Sequence, residues 1–309
     1  MRVYVAGING MVGSAIAEAA KLQGHDVNGK SSKELDLTNR LAVFKELRDT
    51  KPDSLIIAAA KVGGIGANSS RPVDFLSINL QIQTNLLDAA HAANIKRVLF
   101  LGSSCIYPKL APQPIPETAL LTGELEPTNE PYAIAKIAGL RLVEAYRRQY
   151  GHRWVSAMPT NLYGPRDNFD LETAHVLPAL LHRFHKAKVS GLNEVQIWGD
   201  GTPLREFLHV EDLARACLVL LNDYNNSVAI NVGSGQEISI GNLAVMISKI
   251  VGFTGTITYN LNRPNGTPRK LLDSTRIAEF GWEPRISLEE GIASTYDWLL
   301  ALQTKESIS

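Results

Sequence analysis

The sequence predicts an α/β fold of the Rossmann type, in which a doubly wound parallel sheet is followed by a smaller, mixed α/β C-terminal lobe for the substrate. Three observations lead to this prediction. Short apolar runs alternate with helical segments in the first half, a glycine-rich turn follows the first apolar run, and the alternation loosens after about residue 160. Strand–helix alternation implies right-handed crossovers and hence a parallel sheet with helices on both faces.

The first half supplies the elements of the parallel sheet. Unbroken short apolar runs are typical of strands buried on both faces, and they predict strands at Val3–Ala6, Leu55–Ala59, Val98–Leu101 and Val155–Met158. Helical segments lie between them near 11–23, 39–49, 74–94 and 132–150. Residues 108–131 are rich in proline and lack periodicity, and a loop of this length in a compact domain is usually functional.

The second half mixes both kinds of element without a repeated unit. Its helices are predicted at Val176–Ala187, Val210–Leu221, Ile240–Val251 and Leu288–Leu302, and its strands at Val195–Trp198, Glu206–His209 and Ala229–Val232. We expect residues 1–165 to form the dinucleotide-binding domain, with 206–235 returning to it. Residues 166–309 are then mainly the substrate-binding lobe.

Composition narrows the class of protein. The chain has 31 Lys and Arg against 31 Asp and Glu, and it lacks long basic runs, so a nucleic-acid partner is not expected. Two isolated cysteines, Cys105 and Cys217, predict neither a disulfide framework nor a metal site. No stretch has the pattern of a signal peptide or the length of a membrane span, so we expect a cytoplasmic protein without a membrane partner.

The glycine-rich turn is Gly7-Ile-Asn-Gly10-Met-Val-Gly13. Gly7 permits the tight turn, Gly10 lets the backbone approach a pyrophosphate, and Gly13 allows close helix–strand packing. The helix N-terminus then offers N–H groups and the positive end of its dipole to the phosphates. The turn therefore predicts dinucleotide contacts from residues 7–13, namely Gly7, Ile8, Asn9, Gly10, Met11, Val12 and Gly13.

The residues after the second strand decide between the two nicotinamide cofactors. Sites that prefer NAD often place an acidic residue there, whereas this chain has Lys30-Ser-Ser-Lys33. Cations and hydroxyls suit a 2′-phosphate, so the segment predicts NADP(H), held by Ser32 and Lys33. Glu34, the next residue, counts against this prediction.

Tyr132 and Lys136 form the most informative pair. The i,i+4 spacing places both side chains on one helical face. A nearby ammonium favours the phenolate and lowers the pKa of a tyrosine from its free value of about 10. Ser103 follows the fourth strand, whose carboxyl end faces the ligand crevice in this fold class, and its hydroxyl can donate to a substrate carbonyl. The three residues together predict hydride transfer between a nicotinamide and a carbonyl or alcohol.

With these motifs in place, the chain resembles the extended short-chain dehydrogenases/reductases that act on nucleotide sugars. More narrowly, it is similar to the 3,5-epimerase/4-reductases of GDP-4-keto-6-deoxymannose. Segments spread over nearly the whole chain carry this resemblance: Gly7–Ser14, Ala60-Lys-Val-Gly-Gly64, Gly102-Ser-Ser-Cys-Ile-Tyr-Pro108, Glu126–Lys136, Pro159-Thr-Asn-Leu-Tyr-Gly-Pro165, Asp167-Asn-Phe169, His175-Val-Leu-Pro178, Arg205-Glu-Phe-Leu-His209 and Gly266-Thr-Pro-Arg-Lys270.

The resemblance implies roles for five catalytic residues. Cys105 would remove the protons at C3 and C5, and His175 would return protons on the opposite face. Ser103 and Tyr132 would hold the enediolate oxygen, Tyr132 would protonate the C4 alkoxide after hydride transfer from NADPH, and Lys136 would orient the ribose. It also implies cofactor contacts at the ends of two strands and nearby: Leu101, Gly102, Ser103, Ser104, Lys136, Pro159, Thr160, Asn161, Leu162 and His175.

The resemblance also implies a GDP-sugar substrate. Arg183 and Arg205 would contact the diphosphate, Trp198 would pack near the guanosine, and Lys270 or Arg269 would add a cation. The family commonly has Asp before Gly-Thr-Pro-Arg-Lys, where this chain has Asn265, which can still bind a ribose hydroxyl. Some relatives carry Arg in the glycine loop, where this chain has Asn9. These two departures weaken the predictions for guanosine and for the 2′-phosphate.

Several alternatives remain open from the sequence. One is another NAD(P)-dependent nucleotide-sugar epimerase or reductase. A 4,6-dehydratase needs a carboxylate pair where this chain has Ser104-Cys105, which argues against it. A redox-sensing NADP-binding regulator typically lacks the Tyr/Lys pair.

The helix 132–150 is apolar nearly all round up to Arg147, so one face can pack on the sheet while the rest needs another cover. Together with the helix 74–94, and as in the family that the chain resembles, it predicts a homodimer through a four-helix bundle.

Overall fold

A computed structural model of the chain describes residues 1–171, 173–263 and 265–306. Six strands form one all-parallel sheet in the order β2-β1-β3-β4-β5-β9. These strands are β1 Arg2–Ala6, β2 Asp26–Asn28, β3 Ser54–Ile57, β4 Arg97–Leu101, β5 Val155–Pro159 and β9 Ile230–Val232. The predicted doubly wound parallel sheet is therefore confirmed.

Helices cover both faces of this sheet. On one face α1 (Met11–Leu22) packs against α7 (Val210–Asp223), and on the other α2 (Arg40–Thr50), α4 (Asn79–Ala92) and α5 (Glu130–Tyr150) pack side by side. Each face has its own apolar core, in which strand side chains meet the inner faces of the helices. The helix α7 and the strand β9 lie far along the chain from β5, so the chain leaves this sheet after Pro159 and later returns to it.

The second lobe is built on smaller sheets. In one, β8 (Leu204–His209) is the centre, and β6 (Asn161–Tyr163), β10 (Glu237–Ser239) and β12 (Arg269–Lys270) all pair with it. In the other, β7 (Glu194–Trp198) pairs in parallel with β11 (Thr256–Asn260). A third apolar core joins α6 (Val176–Val189), α8 (Ile240–Val251) and α10 (Leu288–Glu306) to these strands.

Short helical elements complete the described part of the chain, among them the 3-10 turns Ser104–Ile106 and Glu117–Ala119. The helices α3 (Ile65–Ser70) and α9 (Thr275–Ala278) were not predicted, and the predicted helix 74–94 is divided into a π-helical turn at Asp74–Ile78 and α4. Among the residues described above, no helix is both long and apolar enough to span a bilayer.

Candidate active site

The glycine turn forms a closed cradle in front of α1. Gly7 has a φ of +89°, and its carbonyl oxygen accepts a hydrogen bond from the Gly10 N–H at 3.0 Å. A Cβ on Gly13 would overlap with that same carbonyl, whereas a Cβ on Gly10 would come no nearer than 3.4 Å to it. Gly13 is thus required for packing, and the exposed backbone at Gly10 is left for a ligand. The cradle fits the pyrophosphate of a dinucleotide.

The two lysines in the segment after β2, Lys30 and Lys33, have different surroundings. The Lys30 ammonium lies 2.7 Å from a carboxylate oxygen of Glu46, a side chain that is itself almost buried. Ser32 and Lys33 are both exposed, while Glu34 bonds to the backbone and hydroxyl of Ser31. Lys33, rather than Lys30, is therefore the cation in this segment available to a 2′-phosphate.

The predicted Ser-Tyr-Lys constellation comes together at the carboxyl end of β4. Burial raises the pKa of Tyr132, as does the nearby Cys105, and a hydrogen bond with Ser103 opposes this shift. Burial lowers the pKa of Lys136 to about 8. The Lys136 ammonium lies 5.8 Å from the centre of the Tyr132 ring and donates to the Leu101 carbonyl oxygen at 2.8 Å. The phenol thus bonds to the serine, and the ammonium bonds to the strand end.

The thiol of Cys105 lies in the same cleft rather than in packed interior. Its sulfur accepts hydrogen bonds from the Asn129 amide at 3.3 Å and from the Lys270 ammonium at 3.4 Å. Cys105 is partly exposed and lies in the middle of a short 3-10 turn, Ser104–Ile106, whose N-cap is Ser103. Cys217, in contrast, is fully buried among apolar side chains of α7, and its pKa is raised by burial. The two cysteines therefore have different environments.

His175 is the N-cap of α6 and faces the cleft from the second lobe. Its side chain reaches solvent although protein surrounds it on most sides, an arrangement expected of a residue in a concave wall. Desolvation lowers its pKa, and the charge of Lys270 lowers it further. Lys270 is therefore electrostatically linked to both His175 and Cys105.

The strand ends predicted to line the cofactor are held tightly. A Cβ on Gly102 would overlap with the Met158 sulfur, so the chain after β4 runs close to β5. Thr160 and Asn161 both donate from their side chains to the Glu206 carbonyl oxygen, at 3.3 and 2.8 Å. The side-chain amide of Asn161 is therefore hydrogen-bonded to the strand β8. Ser104, at the start of the 3-10 turn, is buried.

The predicted substrate handles fall into two groups. Arg183, Trp198 and Asn265 lie around β7: Arg183 donates to the Gln196 carbonyl at 2.7 Å, and Asn265 accepts from the Asp200 N–H at 3.0 Å. The Asn265 carbonyl oxygen is thus bonded to the turn after β7. Trp198 is 45% exposed, and the guanidinium of Arg263 lies 4.7 Å above its ring.

The second group lies on neighbouring strands next to the thiol. Arg205 on β8 and Lys270 on β12 are paired in register. Burial lowers the pKa of Arg205, and the nearby Cys105 and Glu126 oppose this shift. Arg269 forms an ion pair with Glu237 at 2.8 Å, so Lys270 is the residue of this pair that reaches the cleft.

Sequence reasoning missed two residues, Asn129 and Arg263, and one contact of the predicted residue Lys270. Asn129, the donor to the Cys105 sulfur, stands one helical turn before Tyr132, and this spacing was a usable signal. Arg263 over Trp198 and the contact of Lys270 with the thiol had no local signal, because each depends on pairing between distant strands.

Comparison with known proteins identifies a matching family model and similar proteins. The model of the NAD dependent epimerase/dehydratase family matches residues 3–233. GDP-L-fucose synthase 1 of Arabidopsis thaliana is 55% identical over 300 residues, covering 97% of this chain and 93% of the relative. GDP-L-fucose synthase of Escherichia coli strain K12 is 49% identical over 314 residues, covering 98% of each chain. A GDP-L-fucose synthetase from Naegleria fowleri bound to NADP superposes with a TM-score of 0.90 at 28% identity, covering 98% of this chain and 95% of that one.

Proposed function

The chain belongs to the NAD dependent epimerase/dehydratase family, and we propose that within it the protein is a GDP-L-fucose synthase. The enzyme epimerises GDP-4-keto-6-deoxy-D-mannose at C3 and C5 and reduces C4 with NADPH. Relatives of that name match nearly the full length of the chain at 49 to 55% identity. One observation carries the proposal for the residues: a thiol with two polar donors lies beside the Ser103–Tyr132 pair, in the cleft and not in the core.

The cofactor is NADP(H), which supplies the hydride for C4 when bound. The cradle of Gly7, Gly10 and Gly13 fits its pyrophosphate, because only the backbone at Gly10 remains open to a ligand. We assign the 2′-phosphate to Ser32 and Lys33. The ends of β4 and β5 line the nicotinamide side, and residues 1–165 with 206–235 form the NADP-binding domain. Residues 166–309 are mainly the substrate-binding lobe.

The proposed epimerisation uses the ketone at C4, which acidifies the hydrogens at C3 and C5. The Cys105 thiolate takes one of these protons, and the electron pair of the broken C–H bond forms an enolate. Ser103 and Tyr132 donate hydrogen bonds to the enolate oxygen. His175 then gives a proton to the carbon on the opposite face, which inverts it. The thiol and the imidazole are reset by proton exchange with solvent before the second carbon reacts.

The proposed reduction uses the same oxygen. As C4 becomes an alkoxide, Tyr132 transfers its phenolic proton to that oxygen. Ser103 keeps donating its single hydroxyl hydrogen to the same oxygen during this transfer. Lys136 is buried at the end of β4, where its ammonium can hold a ribose hydroxyl while it bonds to Leu101.

The diphosphate of the substrate needs cations that the cleft supplies from the second lobe. We assign it to Arg183 and Arg205, whose guanidinium groups are largely desolvated and therefore gain from an anionic partner. Trp198 offers an exposed ring to the guanosine, and Asn265 lies at the adjoining turn. The Lys270 ammonium lies 3.4 Å from the Cys105 sulfur, next to the thiol that we assign to the reacting carbons.

We also propose that the protein is a cytoplasmic homodimer. The helices α4 and α5 cover one face of the sheet side by side, and Ile134 on α5 is 42% exposed among further partly exposed apolar residues. Burial of this stripe against a second copy would form a four-helix bundle. Light scattering at micromolar concentration checks this: a dimer mass is expected, and a monomer mass would contradict it.

The activity is tested by mixing purified protein, NADPH and GDP-4-keto-6-deoxymannose. One NADPH is expected to be oxidised per GDP-sugar, with GDP-L-fucose as the product. A nucleotide-sugar 4-epimerase would show no net oxidation. A redox-sensing regulator would bind NADPH without turning over any nucleotide sugar, and either result would overturn the proposal.

A further inference from the structure

Lys270 contacts one member of the acid–base pair and acts on the other through its charge. We propose that Lys270 is a positioning residue for epimerisation. Its ammonium stabilises negative charge on the Cys105 sulfur and destabilises the protonated form of His175. The inference rests on the proposed function, because it assigns Lys270 a part in that reaction. It differs from the expectation that Lys270 only adds a cation for the diphosphate.

The geometry at the sulfur favours its charged form. The ammonium of Lys270 and the amide of Asn129 both point hydrogens at the same Sγ, at 3.4 and 3.3 Å. A thiol offers only one hydrogen and a weak acceptor, whereas a thiolate accepts from several donors. Arg205 and Tyr132 also face the sulfur, and Glu126 is the acidic side chain on this side of the cleft. Among these charged groups, the Lys270 ammonium is the one that donates a hydrogen bond to the sulfur.

Lys270 is held from both edges of its strand. On one edge, β12 pairs with β8, so that Lys270 stands opposite Arg205. On the other, the Gln113 side chain donates to the Arg269 carbonyl at 3.2 Å and accepts from the Leu271 N–H at 2.8 Å. An amide side chain thus replaces a neighbouring strand, and it fixes the backbone on each side of Lys270. These bonds hold the backbone from which the Lys270 side chain reaches the sulfur.

The link to His175 supports the same role. Desolvation is the larger cause of the lowered pKa of His175, and the charge of Lys270 adds to it. An imidazolium in this setting gives up its proton readily, as the acid that completes the inversion must. The Lys270 ammonium therefore favours two events: loss of the proton from the Cys105 thiol and release of the proton from the His175 imidazolium. In the reaction the proton leaves carbon for sulfur, and a different proton moves from nitrogen to carbon on the opposite face.

The test compares Lys270→Met, Lys270→Arg and the control Arg269→Met in enzyme without substrate. The rate of Cys105 alkylation by iodoacetamide at pH 7 reports the thiolate, with Cys105→Ser as the blank. We expect Lys270→Met to lower this rate about tenfold, because an adjacent cation promotes thiolate formation. Lys270→Arg should restore most of the rate. Arg269→Met should match wild type, since its partner is Glu237.

Two further measurements separate this role from plain substrate binding. In Lys270→Met, the midpoint of the His175 titration, followed by NMR, should move to higher pH. The kcat for deuterium exchange at C3 and C5 of the substrate should decrease. A wild-type alkylation rate in Lys270→Met, with only KM for the nucleotide sugar raised, overturns the inference and makes Lys270 a substrate contact. The alkylation experiment needs no nucleotide sugar. Failure of the proposed function would instead appear as absent NADPH oxidation in wild type.

Discussion

The ammonium of Lys136 donates a hydrogen bond to the carbonyl oxygen of Leu101 at 2.8 Å, and this bond joins the helix α5 to the end of β4. The side chain is only 4% exposed, and the Phe100 ring lies 5.0 Å from the ammonium. A cation at this position is desolvated without an acidic partner among the residues that the structure describes. The protein therefore maintains an unfavourable charge next to Tyr132, at the position where we propose that it holds the cofactor ribose.

This cost predicts a pH-dependent stability. Burial lowers the pKa of Lys136 from 10.5 to about 8, so the folded chain binds fewer protons than the unfolded chain between these two values. Stability contributed by this residue therefore rises as the pH increases from about 8 to 10. Lys136→Met removes the penalty, which is at most about 3 kcal/mol at pH 7.

Urea unfolding of wild type and Lys136→Met at pH 7 and pH 10 checks this prediction. The stability of wild type relative to Lys136→Met should improve with rising pH. Replacement of the exposed Lys96 by Met provides a matched control for the substitution itself. An equal difference between wild type and Lys136→Met at both pH values would show that the charge is not destabilising.

The two half-reactions should respond to different variants. Cys105→Ser should reduce deuterium incorporation at C3 and C5 by about 100-fold or more, because a serine hydroxyl is a far weaker acid and leaves no base. Tyr132→Phe should reduce NADPH oxidation by a similar factor, while exchange persists through Ser103. Cys217→Ala, in the core of α7, should change neither rate. Unchanged exchange in Cys105→Ser would remove the proposed role of the thiol.

The glycine cradle predicts two separable defects. In Gly13→Ala the new methyl group overlaps with the Gly7 carbonyl, so we expect a lower Tm together with loss of NADPH binding. In Gly10→Ala the methyl group fits the backbone but occupies the side where a pyrophosphate would approach. Its Tm should stay near that of wild type while NADPH affinity falls at least about tenfold. Equal affinity in Gly10→Ala and wild type, measured by titration calorimetry, would place the phosphates elsewhere.

Cofactor preference should depend on Lys33 more than on Lys30. Lys33→Met should weaken NADPH binding by about tenfold, since one charge-assisted contact to phosphate is lost, and should leave NADH binding unchanged. Lys30→Met is the matched control, because the Lys30 ammonium is already paired with Glu46. The ratio of kcat/KM for the two cofactors measures the effect. A larger change in Lys30→Met than in Lys33→Met would contradict this assignment.

Much of the fold followed from local pattern. The four apolar runs of the first half became β1, β3, β4 and β5, and each of the eight predicted helical segments contains or overlaps an observed helix. A short, unbroken apolar run between turn signals fits few structures other than a strand buried on both faces. The i,i+4 spacing of Tyr132 and Lys136 correctly predicted that both lie on one helix, α5. The strands β6, β10, β11 and β12 were missed because they are short and only partly buried.

The site was predictable where its residues are near in sequence. Ser103 and Cys105 belong to one turn, and Asn129 precedes Tyr132 by three positions. The contact between Cys105 and Lys270 joins positions 165 residues apart, and it depends on how β12 pairs with β8 and Gln113. Neither propensity nor periodicity carries this information. The side-chain bond of Asn265 to the turn after β7 was likewise beyond reach, because both partners lie in irregular segments.

The position of β12 has a consequence for how activity can diverge among related enzymes. Hydride transfer draws its side chains from the continuous stretch between Ser103 and Lys136, whereas the thiol receives its cation from a strand near the other end of the sequence. From the roles proposed above, we expect substitutions in that distant strand to slow inversion at C3 and C5 and to leave reduction of the C4 ketone largely intact.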